Sequence, residues 1–289
     1  MDFKSQHRAL LYETCAQSMA FLEANNLRYW GAYGTILGAV RHGDIIPWDD
    51  DIDLFMPRAD FNRLIALRDS LLEGYALAAP GDKDYPFQFI KIYDCRTTLW
   101  EYEHYKYVQG VFVDIFPLDS FDSKQVDIEK TLDRTGGCAR HLAAFMAHHS
   151  LSMLWKILRE DGLREWLYLL REYYLMRPLK NRYRRELNTL LAQSCEEKDA
   201  DTYLMAVGKT PVLKKAWFDN TITMPVGRLV MPIPAGYDPL LTTLYGDYMQ
   251  LPPEDKRNSG HVSEYVNLKE RLSLSEIKQR IKNGETVVY

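Results

Sequence analysis

Residues Ile46 to Leu54 read Ile-Pro-Trp-Asp-Asp-Asp-Ile-Asp-Leu, with four carboxylates in five positions inside an apolar stretch. Like charges a few ångströms apart repel, and burying them unpaired costs more still, so such a cluster calls for a cation. On an extended strand, side chains alternate. Asp49, Asp51 and Asp53 then share one face while Ile52, Leu54 and Met56 share the other. The apolar face can enter a core while the acidic face points at a metal in a cleft. Hard divalent ions such as magnesium take oxygen ligands of this kind, usually alongside substrate phosphates.

The same spacing has rivals. Asp49-x-Asp51-x-Asp53 also opens an EF-hand calcium loop, with Asp60 at its closing position. That loop needs a glycine where Leu54 stands, and Pro57 interrupts the rest. A solvated acidic turn is the plain alternative, against which the Ile-Asp-Leu-Phe-Met alternation argues for a half-buried strand. The remaining class is metal-dependent transfer on phosphates. It covers the Asp-x-Asp of nucleotide-sugar glycosyltransferases and the paired carboxylates of the nucleotidyltransferase fold.

Two neighbours favour the second. Upstream, Tyr33-Gly34-Thr35 ends a strand in glycine and a hydroxyl residue before a short helix, a turn that lets backbone N–H groups approach phosphate oxygens. Downstream, Val111 to Phe116 is an apolar strand holding a single aspartate, Asp114. Burying that charge without compensation costs several kcal/mol. A third metal ligand or a general base explains it, and a buried salt bridge is the competing explanation.

The run Gly34-Thr35-Ile36-Leu37-Gly38-Ala39-Val40-Arg41-His42, followed by Ile46 to Asp53 and Met56-Pro57-Arg58, closely resembles the LicD family of phosphotransferases. So does Gly110 to Asp119, and Leu244 to Met249 with Pro252-Pro253 and His261 looks like that family's closing motif. The resemblance covers about residues 27 to 119 and 236 to 262. It implies a nucleotidyltransferase-type fold shared with the fukutin-related enzymes. It also implies transfer of phosphocholine, or a similar phosphoalcohol, from a CDP-linked donor such as CDP-choline to a glycan. By the same analogy Asp51 and Asp53 bind the catalytic metal, magnesium or manganese, and Asp114 completes the triad. Asp49 matches the motif too, at the loop–strand junction. One or two ions there would clamp the donor's diphosphate, with Asp114 as a further ligand or as the base for the acceptor hydroxyl.

Arg41, His42 and Lys91 flank the motif strands and are candidates for diphosphate contacts, as are Gly34 and Thr35 through their backbone. Lys91 interrupts an otherwise apolar strand, where a lysine snorkelling at a strand end is an equal reading. His261 is a candidate contact to donor or acceptor, although a lone histidine is more often structural.

These residues need a scaffold, and periodicity supplies one. Leu11, Cys15, Met19 and Leu22 mark a helix over about residues 5 to 25, stopped by Asn25-Asn26. A strand over Arg28 to Tyr33, a short helix through Val40, the acidic strand and a helix carrying Phe61, Leu64, Ile65, Arg68, Leu71 and Leu72 follow. Further strands are expected at Tyr75 to Ala79, Gln88 to Tyr93, Thr97 to Glu101 and Val111 to Phe116. Long helical periodicity runs from about Lys124 to Glu197, then short strands, and a final helix at Leu272 to Asn283. The expected fold is α/β of the α+β kind, a nucleotidyltransferase-like mixed sheet. Its parts are a catalytic core (1–120), a helical insertion (121–200) and a C-terminal segment (201–289) that packs back onto the core.

A chain of 289 residues with 46% hydrophobic and 26% charged residues has material for a substantial core. A net charge of −4 gives no global attraction to nucleic acid, so none is expected as a partner. The four scattered cysteines form no zinc or disulfide pattern. The polar start and lack of a membrane-length apolar run lead to the expectation of a cytoplasmic protein. Residues 176 to 185 carry five basic residues and no acid, and Trp155, Trp166, Tyr168, Tyr173 and Tyr174 precede them. That pattern suits peripheral contact of residues 155–185 with a membrane bearing a lipid-linked acceptor. A solvated basic helix with its aromatics turned inward is the plainer and preferred reading.

Overall, the pattern is that of a phosphotransferase. An enzyme making the CDP-activated donor from CTP is the first alternative, and an Asp-x-Asp glycosyltransferase or a non-catalytic binding module is the second.

Overall fold

Leu11, Cys15 and Leu22 stand one or two turns apart, and in the computed structural model they are buried on one side of helix α1 (Phe3–Ala24). The structure describes residues 2–148, 151–160, 162–207, 210–259 and 263–285, without the side chains of 151–153, 156 and 172–174. Asn25 caps α1, and Asn26 leaves it in the left-handed region. Strand β1 (Trp30–Gly31) is shorter than the sequence predicts. Arg28 is drawn off to Asp60 (2.8 Å) and Glu197 (2.8 Å), and Tyr33 already begins α2 (Tyr33–His42).

Strand β2 (Asp53–Pro57) corrects a second expectation. Pairing begins only at Asp53, so Asp49, Asp50 and Asp51 stand in the loop leading in, where Asp49 closes a turn onto Ile46. Nor is the strand half-buried: Leu54, Phe55 and Met56 are all inaccessible, because helices cover one face and an aromatic layer the other. Helix α3 (Arg58–Ala66) stops short of Leu71 and Leu72, giving way to a 3₁₀ turn at Arg68–Ser70. β3 (Tyr75–Ala78), β4 (Ile90–Asp94), β5 (Thr98–Trp100) and the long β6 (Phe112–Phe121) complete the first part.

The helical stretch is α4 (Ile128–Ala144), α5 (Leu151–Glu160), α6 (Leu163–Leu170) and α7 (Lys180–Leu191), with a π-helical turn at Arg171–Met176. Cys138, Leu142, Phe145 and Leu187 give it a small core of its own. Its aromatics do not all turn inward: Trp155 is 71% exposed and Tyr168 41%, while Trp166 is half-buried. The side chains of Tyr173 and Tyr174 lie outside the described residues. The chain ends through β7 (Thr202–Leu204), β8 (Leu213–Lys214), the hairpin β9 (Thr221–Val226)–β10 (Leu229–Pro234), α8 (Tyr237–Tyr245), β11 (Tyr265–Asn267) and α9 (Leu274–Lys282). Ser273 and Glu276 close a capping box at the start of α9.

The fold is a mixed α+β sheet in the order β1-β2-β6-β4-β3, extended by β7 and β8 at the far end of β6. Among the described residues only β2 and β6 pair in parallel. The crossover between them uses α3 and an antiparallel β3–β4 hairpin that inserts beside β6. Helices α1 and α3 cover one face. Tyr33, Phe55, Phe116, Phe218 and Tyr203 interlock edge to face beneath the other. All four cysteines are free. No helix of the described residues is long and apolar enough to cross a membrane.

One ion pair locks this frame. Arg58 opens α3 and grips Asp119 of β6 with two parallel bonds of 2.6 and 2.8 Å, its guanidinium 4.8 Å above the Phe61 ring. Asp119 is 1% exposed, so Arg58→Met would leave a buried charge unpaired. That variant is expected to lose about 3–5 kcal/mol of unfolding free energy in urea titration. A loss below about 1 kcal/mol would show that water reaches Asp119.

Candidate active site

Residues level with one another on adjacent strands point to the same face. Asp53 on β2 is level with Asp114 on β6, and Asp114 is level with Lys91 on β4. The acidic motif, the lone aspartate and the strand lysine therefore form one row across the centre of the sheet. Asp51 precedes the row by two residues and joins it from the loop: its oxygens and those of Asp53 and Asp114 lie within 4.8 Å of one another. Asp49, Asp50 and Asp51 form a second such group.

The row's electrostatics are unfavourable without a cation. Burial, then the charges of Asp51, Asp114 and Asp49, push the Asp53 carboxyl well above its ordinary range. Burial raises Asp114 to about 7, against the opposing pull of Lys91. Lys91 is buried, with Nζ 2.9 Å from one oxygen of Asp114 and 3.0 Å from the other, and 3.6 Å from Glu101. The Phe112 ring lies 3.3 Å beneath the ammonium. Burial works against the charge on Lys91, but Asp114 and Glu101 outweigh it and hold its pKa above the usual lysine value. One ammonium among Asp51, Asp53, Asp114 and Glu101 leaves negative charge in excess. Asp114 Oδ1 is buried and makes no directional hydrogen bond. Converging carboxylate oxygens in excess over the one ammonium fit a hard divalent ion.

Beside the row opens a cavity of about 580 Å³, lined by Asp49, Asp51 and Asp53 on one side and Tyr245, Asp247 and Tyr248 on the other. Such a volume suits a nucleotide-sized ligand. Gly34 lies in its wall for a steric reason: a Cβ there would stand 2.6 Å from Asp49 Oδ2. Thr35 has a different job. It is buried, its hydroxyl accepts the Asp53 N–H at 2.9 Å, and its own N–H donates to Ala32 at 2.8 Å. It fixes the start of β2 and leaves no N–H for a phosphate.

Arg41 lines the cavity, donating to the carbonyl of Tyr248 at 2.8 Å and standing over the Trp48 ring. His42 does not line it; it accepts from Arg41 at 3.0 Å, and burial followed by the Arg41 charge lowers its pKa. Lys91 stands behind Asp114, turned from the cavity onto its two carboxylates. His261 lies outside the described residues. Sequence reasoning about the site did not single out Trp48, Glu101, Tyr245 or Tyr248. For the tyrosines the signal was present in the Leu244–Met249 motif, whose spacing alone gives no chemistry. Burial and the charges of Asp53, Asp49 and Asp51 raise the Tyr245 hydroxyl, which places it in the field of the acidic row.

Residues 26–140 match the family model described as LicD/FKTN/FKRP, nucleotidyltransferase domain. Over 248 residues the chain is 25% identical to the lipopolysaccharide cholinephosphotransferase LicD of Haemophilus influenzae, covering 85% of this chain and 91% of that protein. A stretch of 58 residues, 20% of this chain and 12% of the relative, is 48% identical to the human ribitol 5-phosphate transferase FKRP.

Two measurements test the site. The raised carboxyls bind protons more tightly folded than unfolded, so the metal-free protein loses stability as the pH rises from the ordinary value of 3.8 through about 7. Magnesium at about 100 times its dissociation constant is expected to restore about 2.7 kcal/mol, seen as a rise in Tm larger at pH 8 than at pH 5. Asp53→Asn should remove that rise, and a rise unchanged in the variant would place the ion elsewhere. Gly34→Ala is expected to displace the Asp49 carboxylate and weaken magnesium binding by about tenfold with little loss of Tm; unchanged calorimetric affinity would refute the close approach.

Proposed function

We propose that the chain is a LicD-family phosphotransferase that moves phosphocholine or a similar phosphoalcohol from a CDP-linked donor to a hydroxyl of a cell-surface glycan precursor, releasing CMP. The observation that carries this reading is the acidic row Asp51, Asp53 and Asp114, of which Asp51 and Asp53 line a nucleotide-sized cavity with Arg41 in its wall. The relatives' names support the transferred group: phosphocholine for one and ribitol 5-phosphate for the other are both phosphoalcohols.

Asp51, Asp53 and Asp114, with Asp49 on the cavity wall, would hold magnesium or manganese, and that ion when bound supplies neutralisation of the donor's phosphate charge. Arg41, oriented by the Tyr248 carbonyl, meets the diphosphate from the other side. Gly34 keeps the wall thin where the donor approaches Asp49. Lys91 holds Asp114 in one orientation. The acceptor hydroxyl gives its proton to a carboxylate of the row as its oxygen attacks phosphorus, the bond to the CMP oxygen breaks, and CMP leaves with the negative charge.

The division into a core (1–120), a helical insertion (121–200) and a C-terminal segment (201–289) belongs to this proposal. It is supported by the separate small core of the insertion and by β7 and α8 packing onto the first part. So does a cytoplasmic place of action with peripheral membrane contact through 155–185. Trp155, Leu163 and Leu175 are each at least 60% exposed beside Arg159, Arg164 and Arg171, which supports that contact.

Incubation with a panel of CDP-alcohols, magnesium and candidate glycans should release CMP, and Asp53→Asn should cut the rate by at least about 1,000-fold. Pyrophosphate released from CTP instead would identify an enzyme that makes the donor. Binding without turnover would identify a non-catalytic module. In a second assay, anionic vesicles should retain the protein at low salt, and Trp155→Ser should weaken retention; no flotation at low salt removes the membrane contact.

A further inference from the structure

A second cavity, of about 380 Å³, lies where the loop between β3 and β4 meets the helical insertion. Its walls carry Lys83 and Lys106 from the sheet side and Arg177, Lys180 and Arg184 from the insertion, over a floor that includes the buried Leu142 and Phe145. Lys180 and Arg184 stand one turn apart on α7, and Arg177 lies in the 3₁₀ turn that precedes it. Two carboxylates face them. Asp82 is already gripped by Arg68 with bonds of 2.9 and 3.1 Å, and Asp84 lies in the left-handed region. Five cations against two acids, one of them already paired, leave an excess of positive charge. No carboxylate comes within ion-pair distance of Lys106, Lys180 or Arg184 among the described residues.

Lys180 shows the strain most clearly. It is half-buried, and its ammonium donates to the Met146 thioether at 3.1 Å, a weak acceptor. Burial and the charges of Arg184 and Arg177 lower its pKa. Burial, with Lys106 and Arg177, does the same to His148 in the same wall. Lys83, Lys106, Arg177 and Arg184 are exposed to solvent, and like charges converging on one cleft favour an anion between them.

We propose that this cavity binds a phosphate-bearing segment of the acceptor, with more than one phosphate engaged at a time. The assignment to the acceptor rests on the function proposed above. Phosphate is favoured because guanidinium and ammonium groups from both walls suit its tetrahedral oxygens. The donor's diphosphate already has a place at the acidic row. The two sites communicate through a packed column: Tyr85 in this cavity's wall meets the ring of Phe87, Phe87 faces Lys91, and Lys91 holds Asp114.

The test is calorimetry in EDTA, without donor, using inorganic tripolyphosphate and a short glycerol-phosphate diester oligomer. Both are expected to bind, more weakly as salt rises. Lys180→Gln with Arg184→Gln should weaken both at least tenfold at an unchanged Tm. Arg182→Gln with Arg185→Gln, an equal loss of charge on the same helix away from the cavity, should weaken them less than about threefold. Asp53→Asn should bind as the parent does. Absence of binding at low salt overturns the proposal, and so do equal losses in the two double variants. Preference for CDP over the diester, in competition at this cavity, would make it a nucleotide site instead and overturn the acceptor assignment. Because no donor or metal is present, the result stands apart from CMP release, and either can fail alone.

Discussion

The parallel pairing of β2 with β6 sets Asp53 level with Asp114, and the rest of the molecule follows from the repulsion this creates. Two aspartates facing the same way on adjacent strands, with Asp51 reaching in from the loop, cannot all be ionised in a buried place without compensation. The antiparallel β4 brings Lys91 to the other side of Asp114, and Glu101 draws the ammonium away from full neutralisation of the row. The site is therefore left short of positive charge by design of the sheet register. A bound divalent ion would supply the positive charge that the protein withholds.

Close approach is the second constraint. Helix α2 starts abruptly after β1 because the Tyr33 backbone turns through the left-handed region and Ala32 bonds to Asp53. Gly34 then lets Asp49 come against the helix, and Gly38 lets the Asp44 backbone do so one turn later, where a Cβ would stand 2.5 Å from its carbonyl oxygen. The two glycines of the motif are explained by what presses on them. Thr35 sits between them as a bond to β2, so the glycine–threonine pair holds the acidic strand in place.

The helical insertion has its own balance. Leu142, Phe145 and Leu187 pack it internally, while Trp155 and Leu175 remain outside and a band of arginine and lysine faces the sheet domain across a cavity. Part of the basic run that reads as a solvated helix in sequence thus lines a cavity. The inward-turned aromatic face expected from periodicity is contradicted at Trp155, where the helix lacks a neighbour to cover it. Periodicity reports that a helix has an apolar side; it does not report whether anything lies against that side.

The amino-acid sequence by itself determined most of the elements and pointed to the acidic residues that the sheet brings together. The α+β class, α1, α2, β3, β6 and α9 were legible because apolar spacing and caps are local signals. The acidic cluster and the isolated Asp114 were legible because buried charge in an apolar setting demands a reason. The sequence could not determine what stands opposite each charge. That Lys91 and Glu101 meet Asp114, that Arg58 meets Asp119, and that Tyr245 and Tyr248 return across nearly two hundred residues to face the carboxylates depend on strand register and crossover. These are long-range pairings, set by how the sheet is ordered. Local spacing carries no information about order, and only the tertiary structure decided it.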